Sequence, residues 1–185
     1  LDYTPYLMPY AVRLPDALKG KEHVVILFRC ASKVNAKRGC DAQRAMDEVF
    51  LLSVAADRPH ITPWPSLPVP LANAAGAVVG GKVYVAGGNE ARNPARACGG
   101  FFVLDTANPD AGWRELPAWP GPARGYAVAA AQSDGMDNCF YLFSGRDYDG
   151  DRPWTVHRDG YRYNPRLGAW YRLCLLYTSD AADDK

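Results

Sequence analysis

A carboxylate and a guanidinium lie six positions apart in this chain. They are Glu90 and Arg96, in a stretch that reads Glu-Ala-Arg-Asn-Pro-Ala-Arg. A carboxylate close to a hydrogen-bond donor can move protons to and from hydroxyl oxygens. The planar guanidinium of arginine also suits a carboxylate on a ligand. The pair therefore indicates acid–base chemistry on an anionic molecule, and the alternative is a solvated pair on a surface loop.

A repeat of roughly 50 residues positions this pair. Trp64 and Trp113 each open the phrase W-x-x-L-P, and Trp170 opens a third copy in which Cys174 stands in place of the proline. The tryptophans are 49 and 57 residues apart. Repeats of this length with glycine pairs and aromatic residues are typical of propeller blades with four strands each.

Each of two repeats contains four short runs rich in β-branched, aromatic or small residues, separated by Gly, Asn, Asp and Pro. The runs predict strands at residues 74–79, 82–88, 100–105 and 112–116, and at residues 125–132, 138–145, 160–164 and 169–173. Residues 42–52 have a helical periodicity that competes with a strand. The predicted fold class is all-β, with four-stranded antiparallel sheets.

Each recurring feature of the repeat has a physical role in a blade. The innermost strands need small side chains, and the alanine-rich residues 74–77 and 127–131 supply them. Glycines such as Gly88 and Gly145 end the second strand, where neighbouring backbones approach closely. The tryptophans are predicted to fill the widening gap between splayed blades.

The pattern G-G…[F/Y]-x-x-[D/N]…W-x-x-L-P resembles kelch repeats. Residues 69–173 more closely resemble the bacterial kelch family of N-acetylneuraminate epimerases (sialic acid mutarotases), including its cyclically permuted branch. The phrases that carry the resemblance are Leu-Ala-Asn at 71–73, Gly-Gly-Asn-Glu-Ala at 87–91, Phe-Val-Leu-Asp at 102–105, Pro-Gly-Pro-Ala-Arg at 120–124 and Tyr-Arg-Tyr-Asn-Pro at 161–165. Such proteins form six-bladed propellers. The expected structure is a partial kelch β-propeller of about two and a half blades.

The resemblance implies an isomerase that interconverts the anomers of a sialic acid without a cofactor. The family has a Glu-x-x-x-x-x-Arg pair proposed as catalytic, and Glu90 and Arg96 have this spacing. The resemblance further implies a sugar acid as the small-molecule partner, a bacterial and exported protein, and a homodimer at full length. The alternative is a non-catalytic kelch module that binds a glycan or a protein on the same face.

In a four-stranded meander, the loop between strands two and three emerges on the same face as the loop that enters the next blade. Residues 68–73, 89–99, 120–124 and 146–159 should therefore surround one mouth of the propeller. Four polar side chains in or beside these loops are predicted to bind the substrate: Asn73, Asn89, Arg124 and Arg146. Asn73 is predicted to be the counterpart of Arg124 one blade earlier. For Arg124 a second role stays open, because central arginines also tie blades together.

The chain divides into five predicted segments. They are an unassigned segment at 1–38, the outer part of a kelch blade at 39–68, kelch blades at 69–117 and 118–173, and a tail at 174–185. The first segment carries seven basic and three acidic residues and lacks a blade pattern, so we predict that it is translated out of frame. The tail resembles a translated sequencing adaptor.

No metal, nucleic acid or membrane is expected as a partner. The five cysteines show no C-x-x-C spacing, and His23, His60 and His157 are far apart, which favours structural or surface roles. The acidic residues of 147–151 lack the glycine and the final acid of an EF-hand loop. The basic first segment lacks the interleaving of basic and aromatic residues and the helical charge pattern of a nucleic-acid arm. The sequence contains no transmembrane run.

Overall fold

The computed structural model describes residues 24–28, 34–35, 39–40, 49–53, 60–89, 96–147 and 155–173. They form antiparallel sheets and one short 3-10 helix, Pro109–Ala111. A three-stranded edge sheet has the order β1 (Val24–Phe28), β4 (Val49–Ser53) and β5 (His60–Trp64), while β2 (Val34–Asn35) pairs with β3 (Gly39–Cys40). The helical periodicity at 42–52 therefore ends in a strand, and residues 42–48 lie outside the described residues.

Two four-stranded sheets follow, each a meander in chain order. The first blade consists of β6 (Ala75–Val79), β7 (Lys82–Ala86), β8 (Phe101–Asp105) and β9 (Arg114–Leu116). The second blade consists of β10 (Val128–Ser133), β11 (Asn138–Phe143), β12 (Gly160–Asn164) and β13 (Ala169–Leu173). The predicted all-β fold is confirmed, and all eight predicted strands of these two repeats are present.

Small side chains let the two blades approach each other at their inner strands. Ala75 is buried in the core that the blades share, and Ala77, Ala127 and Ala129 pack against it. Just before β10, the N–H of Tyr126 donates to the carbonyl oxygen of Asn73 over 2.9 Å. The alanine-rich inner strands are therefore confirmed as the contact between blades.

The strand β8 is buried on both faces. Phe101 and Val103 belong to the core shared with the second blade, whereas Phe102 and Leu104 belong to a core that also contains Val49 of the edge sheet. Successive side chains of a strand point to opposite faces, so one strand supplies both cores.

An aromatic cluster closes the junction between the blades, with the Phe101 ring at its centre. The ring centroid of Phe101 lies 4.8 Å from that of Trp170, 5.0 Å from Tyr163 and 5.3 Å from Phe140. The Trp170 indole N–H donates to the carbonyl oxygen of Pro117 over 2.9 Å. The predicted role of the outer-strand tryptophan, filling the gap to the preceding blade, is confirmed.

The glycines that end the second strands are required by both conformation and contact. Gly145 has a φ of 99°, and a Cβ there would lie 2.9 Å from the carbonyl oxygen of Gly125. Gly88 has a φ of 108°, and a Cβ there would lie 2.9 Å from the carbonyl oxygen of Ala72. The predicted close approach of backbones is confirmed in both blades.

We expect Gly145→Ala to lower the free energy of unfolding by about 2–4 kcal/mol, from left-handed strain plus the steric contact. Gly135→Ala is the matched control, because Gly135 has the same φ of 99° and nothing within 4 Å of its added Cβ. The control should cost only about 1–2 kcal/mol. Urea titration of both variants measures the difference. Equal losses would show that the contact with Gly125 is unimportant.

Candidate functional site

The described parts of the loops predicted to form one mouth come together in the structure. Asn89 follows Gly88, the glycine after the second strand of the first blade, and pairs with Ala72. Arg146 follows Gly145 and pairs with Gly125 in the same way. The N–H of Gly88 also donates to the carbonyl oxygen of Arg124 over 2.9 Å, which joins the two blades at this end. Polar residues of both blades therefore lie at one end of the sheets.

The predicted equivalence of Asn73 and Arg124 is wrong. Because Asn89 and Arg146 occupy equivalent positions, their partners show that Ala72 matches Gly125 and that Asn73 matches Tyr126. The φ angles agree, at 55° for Asn73 and 57° for Tyr126. From the first blade to the second, equivalent residues of the second strands are 57 positions apart in the sequence, whereas equivalent residues of the inner strands are 53 positions apart. Aligning the two repeats with one spacing of 57 residues therefore places the inner strands four residues out of register.

Asn89 is buried, with 2% of its surface exposed. Its backbone N–H donates to the carbonyl oxygen of Ala72 over 2.7 Å. Its side chain packs directly against the α-carbon of Gly125, where any larger residue would collide with it. Neither polar atom of the carboxamide has a hydrogen-bond partner among the described residues. The structure thus brings Asn89 to the predicted mouth, with a side chain that can both donate and accept.

Arg124 is fully buried, and its donors bind within the protein. Its guanidinium binds the Asp159 carboxylate through two hydrogen bonds of 2.6 and 3.1 Å. It also donates to the carbonyl oxygens of Ser144, over 3.0 Å, and Pro122, over 3.2 Å. Its backbone carbonyl accepts from the N–H of Gly88. The side chain binds partners of the second blade and its entry, and the backbone carbonyl joins the two blades, so this geometry favours the structural role considered for Arg124.

The ion pair sets the protonation of its neighbours. The Arg124 guanidinium lowers the pKa of Asp159 from 3.8 to about 2, with a further contribution from the Tyr161 hydroxyl, which donates to the same carboxylate. Burial, followed by this hydrogen bond, raises the pKa of Tyr161. Asp159 is therefore an anion, and Tyr161 neutral, across the physiological pH range.

Acid should lower the free energy of unfolding, because Asp159 becomes protonated. Because its folded-state pKa is lowered from 3.8 to about 2, its contribution is complete above pH 4 and is lost as the pH falls towards 2. The loss should be about 2 kcal/mol. Urea titrations at pH 6 and pH 2 should show this part of the pH dependence in the wild type and its disappearance in Asp159→Asn. The same pH dependence in both proteins would contradict the assignment.

Arg146 borders an open cavity of about 250 Å³ in the second blade. The cavity is lined by Tyr126, Ser144, Gly145, Arg146 and Val156. The Arg146 guanidinium carbon lies 4.0 Å from the centre of the Tyr126 ring, a close cation–π stack. A cation held on an aromatic face beside open space can bind the carboxylate of a ligand.

The predicted catalytic pair is described only in part, since Glu90 lies outside the described residues. Arg96 is exposed, and its neighbour Ala97 pairs with Asn89. Arg96 therefore belongs to the same loop end as Asn89. The role of the pair stays a prediction.

Sequence analysis missed three residues at this end of the blades: Tyr126, Ser144 and His157. His157 is 8% exposed, and its Nε2 has no hydrogen-bond partner among the described residues. Burial, and then the charge of Arg124, lower its pKa, so the imidazole is neutral at neutral pH. The signal that could have identified His157 is its position in the repeat. Its backbone N–H donates to the carbonyl oxygen of Gly145, as the backbone N–H of Cys98 donates to that of Gly88, both over 2.8 Å.

Within the described ranges, no group of three or more His, Cys, Asp or Glu side chains could hold a metal ion. The same part of the chain contains no helix with the length and apolar character needed to cross a membrane.

Comparisons with known proteins point in one direction. The model of the N-acetylneuraminate epimerase family matches residues 64–178, which extends five residues into the segment predicted to derive from an adaptor. The chain is 35% identical over 110 residues to the N-acetylneuraminate epimerase of Haemophilus influenzae (strain PittEE), covering 60% of this chain and 26% of that protein. It is 32% identical over 110 residues to a Kelch domain-containing protein of Vibrio cholerae serotype O1, covering 59% and 28%.

Among solved structures, the one described as "Structure of YjhT" is 29% identical, with a TM-score of 0.47, and the match covers 60% of this chain and 29% of that one. The chain spans about a quarter of the length of the curated relatives named above, at 26% and 28%.

Proposed function

Because this chain belongs to the N-acetylneuraminate epimerase family, we propose that the intact protein that carries it interconverts the anomers of a sialic acid. The observation that carries the proposal is the family match over residues 64–178. The cluster of polar residues at one end of both blades supports it, since a sugar acid needs a cation and several hydrogen-bonding groups.

The proposed reaction moves protons and breaks no bond other than the ring C–O bond. A base takes the proton of the anomeric hydroxyl, and the electron pair of the ring C–O bond passes to the ring oxygen, which receives a proton. The open chain then closes on the other face, which yields the second anomer. Glu90 is the proposed base, and once protonated it can return a proton to the sugar. Arg96 is proposed to donate a hydrogen bond to the ring oxygen while negative charge develops there.

Of the other predicted site residues, three are proposed to bind the substrate and one to have a structural role. Arg146, stacked on Tyr126 beside the cavity, is proposed to bind the carboxylate of the sugar acid. Asn73 and Asn89 lie at the same end of the blades and are proposed to bind its uncharged groups. Arg124 is proposed to act indirectly, because its side chain fixes the start of the second blade to Ser144 and Asp159 of the same blade.

Anomer-exchange NMR on the intact protein tests the reaction. We expect Glu90→Gln to slow exchange by about 10²–10⁴-fold, the usual contribution of general acid–base catalysis. Glu115→Gln is the matched control, because Glu115 is an exposed residue of the outer strand β9, and exchange should be unchanged. Unchanged exchange in Glu90→Gln would remove Glu90 from the mechanism. Binding of the sugar without exchange in the wild type would favour the non-catalytic kelch module.

A further inference from the structure

The connection that contains the candidate catalytic pair is closed at its base. It comprises residues 90–96, and the residues on either side, Asn89 and Ala97, pair with each other in an antiparallel bridge. One position further out, the N–H of Cys98 donates to the carbonyl oxygen of Gly88 over 2.8 Å. These four residues therefore form the base of the connection.

The backbone of Arg124, at the entry to the second blade, bonds to both sides of this base. The N–H of Gly88 donates to its carbonyl oxygen over 2.9 Å, and its own N–H donates to the carbonyl oxygen of Cys98 over 3.4 Å. The next residue, Gly125, lies so close to Asn89 that a Cβ there would collide with the carboxamide oxygen. The position of Arg124 in the second blade therefore sets the position of the base in the first.

The side chain of Arg124 fixes that position within the second blade. Its guanidinium binds the Asp159 carboxylate over 2.6 and 3.1 Å and donates to the carbonyl oxygen of Ser144 over 3.0 Å. The Tyr161 hydroxyl donates to the same carboxylate over 2.6 Å. The ring centres of Tyr161 and Trp119 lie 5.4 and 5.8 Å from the guanidinium carbon. Asp159 thus links the start of β12, through Arg124, to the base of the connection.

The first blade shows that a blade forms without this ion pair. By the pairing of the residues that follow them, Leu71 occupies the position of Arg124. Gly100 and Asp159 each directly precede the third strand of their blade and are equivalent as well. A buried ion pair carries a desolvation cost that leucine does not. Its presence in the second blade must therefore be explained by what it holds in place.

We propose that Asp159 is a positioning residue for the proposed reaction and acts through Arg124 to hold the base of the connection that carries Glu90 and Arg96. The proposal rests on the proposed function, because it takes Glu90 and Arg96 as the reacting pair. A general base must stay within hydrogen-bonding distance of the proton that it takes. A displacement of about 1 Å can slow a reaction about 100-fold. Loss of the Asp159 carboxylate should therefore lower kcat and leave KM nearly unchanged.

The first variant of the intact protein replaces the ion pair and its hydroxyl partner with the first-blade residues. It combines Arg124→Leu, Asp159→Gly and Tyr161→Phe, the last because Phe102 matches Tyr161. No charge is left unpaired, so this triple variant should fold.

Hydrogen exchange, followed by NMR, tests the positions of the backbone without reference to activity. In the triple variant, the Gly88 amide should exchange at least about tenfold faster than in the wild type, because Arg124 no longer holds its acceptor in place. The amide of Tyr84, on the central strand β7 that pairs within the first blade, should change less than about threefold.

The second variant, Asp159→Asn, removes only the charge and tests the effect on the reaction. Anomer-exchange NMR with N-acetylneuraminate should give a kcat about tenfold or more below that of the wild type, with KM within about twofold. The triple variant should show the same division between kcat and KM. Asp137→Asn is the matched control, because Asp137 also binds an arginine, Arg166 over 2.9 Å, but lies before β11 rather than after it. Both constants should be unchanged in this control.

Gly88 exchange within about twofold of the wild type in the triple variant would overturn the proposal, as would equal acceleration at Gly88 and Tyr84. A triple variant that does not fold would also overturn it, because the blade itself would then need the ion pair. A kcat within about twofold of the wild type in Asp159→Asn would contradict the positioning role. If the wild type does not exchange anomers, the proposed reaction is refuted, and the Gly88 amide still decides whether Asp159 and Arg124 hold the base.

Discussion

Replacing Arg124 with alanine should lower the free energy of unfolding by about 3–5 kcal/mol. The side chain is fully buried and forms two hydrogen bonds with the Asp159 carboxylate, so its removal leaves an uncompensated charge inside the protein. The carbonyl oxygens of Ser144 and Pro122 would lose their donor as well. Urea titration at neutral pH measures the loss.

Arg166→Ala provides the control for this effect. Arg166 also binds a carboxylate, that of Asp137 over 2.9 Å, but its side chain is 61% exposed. Exposed ion pairs contribute about 0–1 kcal/mol, so the two variants should differ by at least about 2 kcal/mol. A loss in Arg124→Ala no larger than in Arg166→Ala would refute a structural tie and reopen a ligand-binding role for Arg124.

The Phe101→Ala substitution should lower the free energy of unfolding by about 3–5 kcal/mol. The ring is wholly buried between the blades and contacts the rings of Tyr84, Phe140, Tyr163 and Trp170. Its loss would leave a cavity that neighbouring β-strands, fixed by their hydrogen bonds, can fill only in part. The same urea titration, followed by tryptophan fluorescence, measures the change.

The matched variant is Phe143→Ala on β11. Phe143 is 38% exposed and stacks on Tyr141. Because water already reaches this ring, its removal should cost less than about 1.5 kcal/mol. If the two phenylalanine variants lost equal stability, the aromatic cluster at the junction would not be the main contact between the blades.

The strands could be predicted because their signals are local. The alternation of apolar residues and the glycines at Gly88 and Gly145 lie within a few positions of the strands they define. The tryptophan positions depend on a longer repeat, but W-x-x-L-P marks each copy directly. Local patterns of this kind survive in a single sequence, and the two blades match the predictions closely.

The contacts of the site could not be predicted in the same way. Arg124 and its partner Asp159 are 35 positions apart, and no spacing rule links them. The equivalence of Asn73 and Tyr126 was hidden because the inner strands are displaced by four residues fewer than the second strands. The left-handed φ values of Tyr126 and Ser144 could not be predicted either, since tyrosine and serine seldom adopt this conformation.

The burial of β8 on both faces alters the energetics of strand pairing. Where one face of a sheet meets water, a slip of one residue exposes every apolar side chain and is strongly disfavoured. In β8 the same slip would exchange Phe101 and Val103 with Phe102 and Leu104, and both sets would remain in a core. Discrimination must then come from shape and from the contacts at the strand end, such as the Lys82–Asp105 ion pair. In β8, therefore, the correct register depends on how well each side chain fits its core rather than on which face meets water.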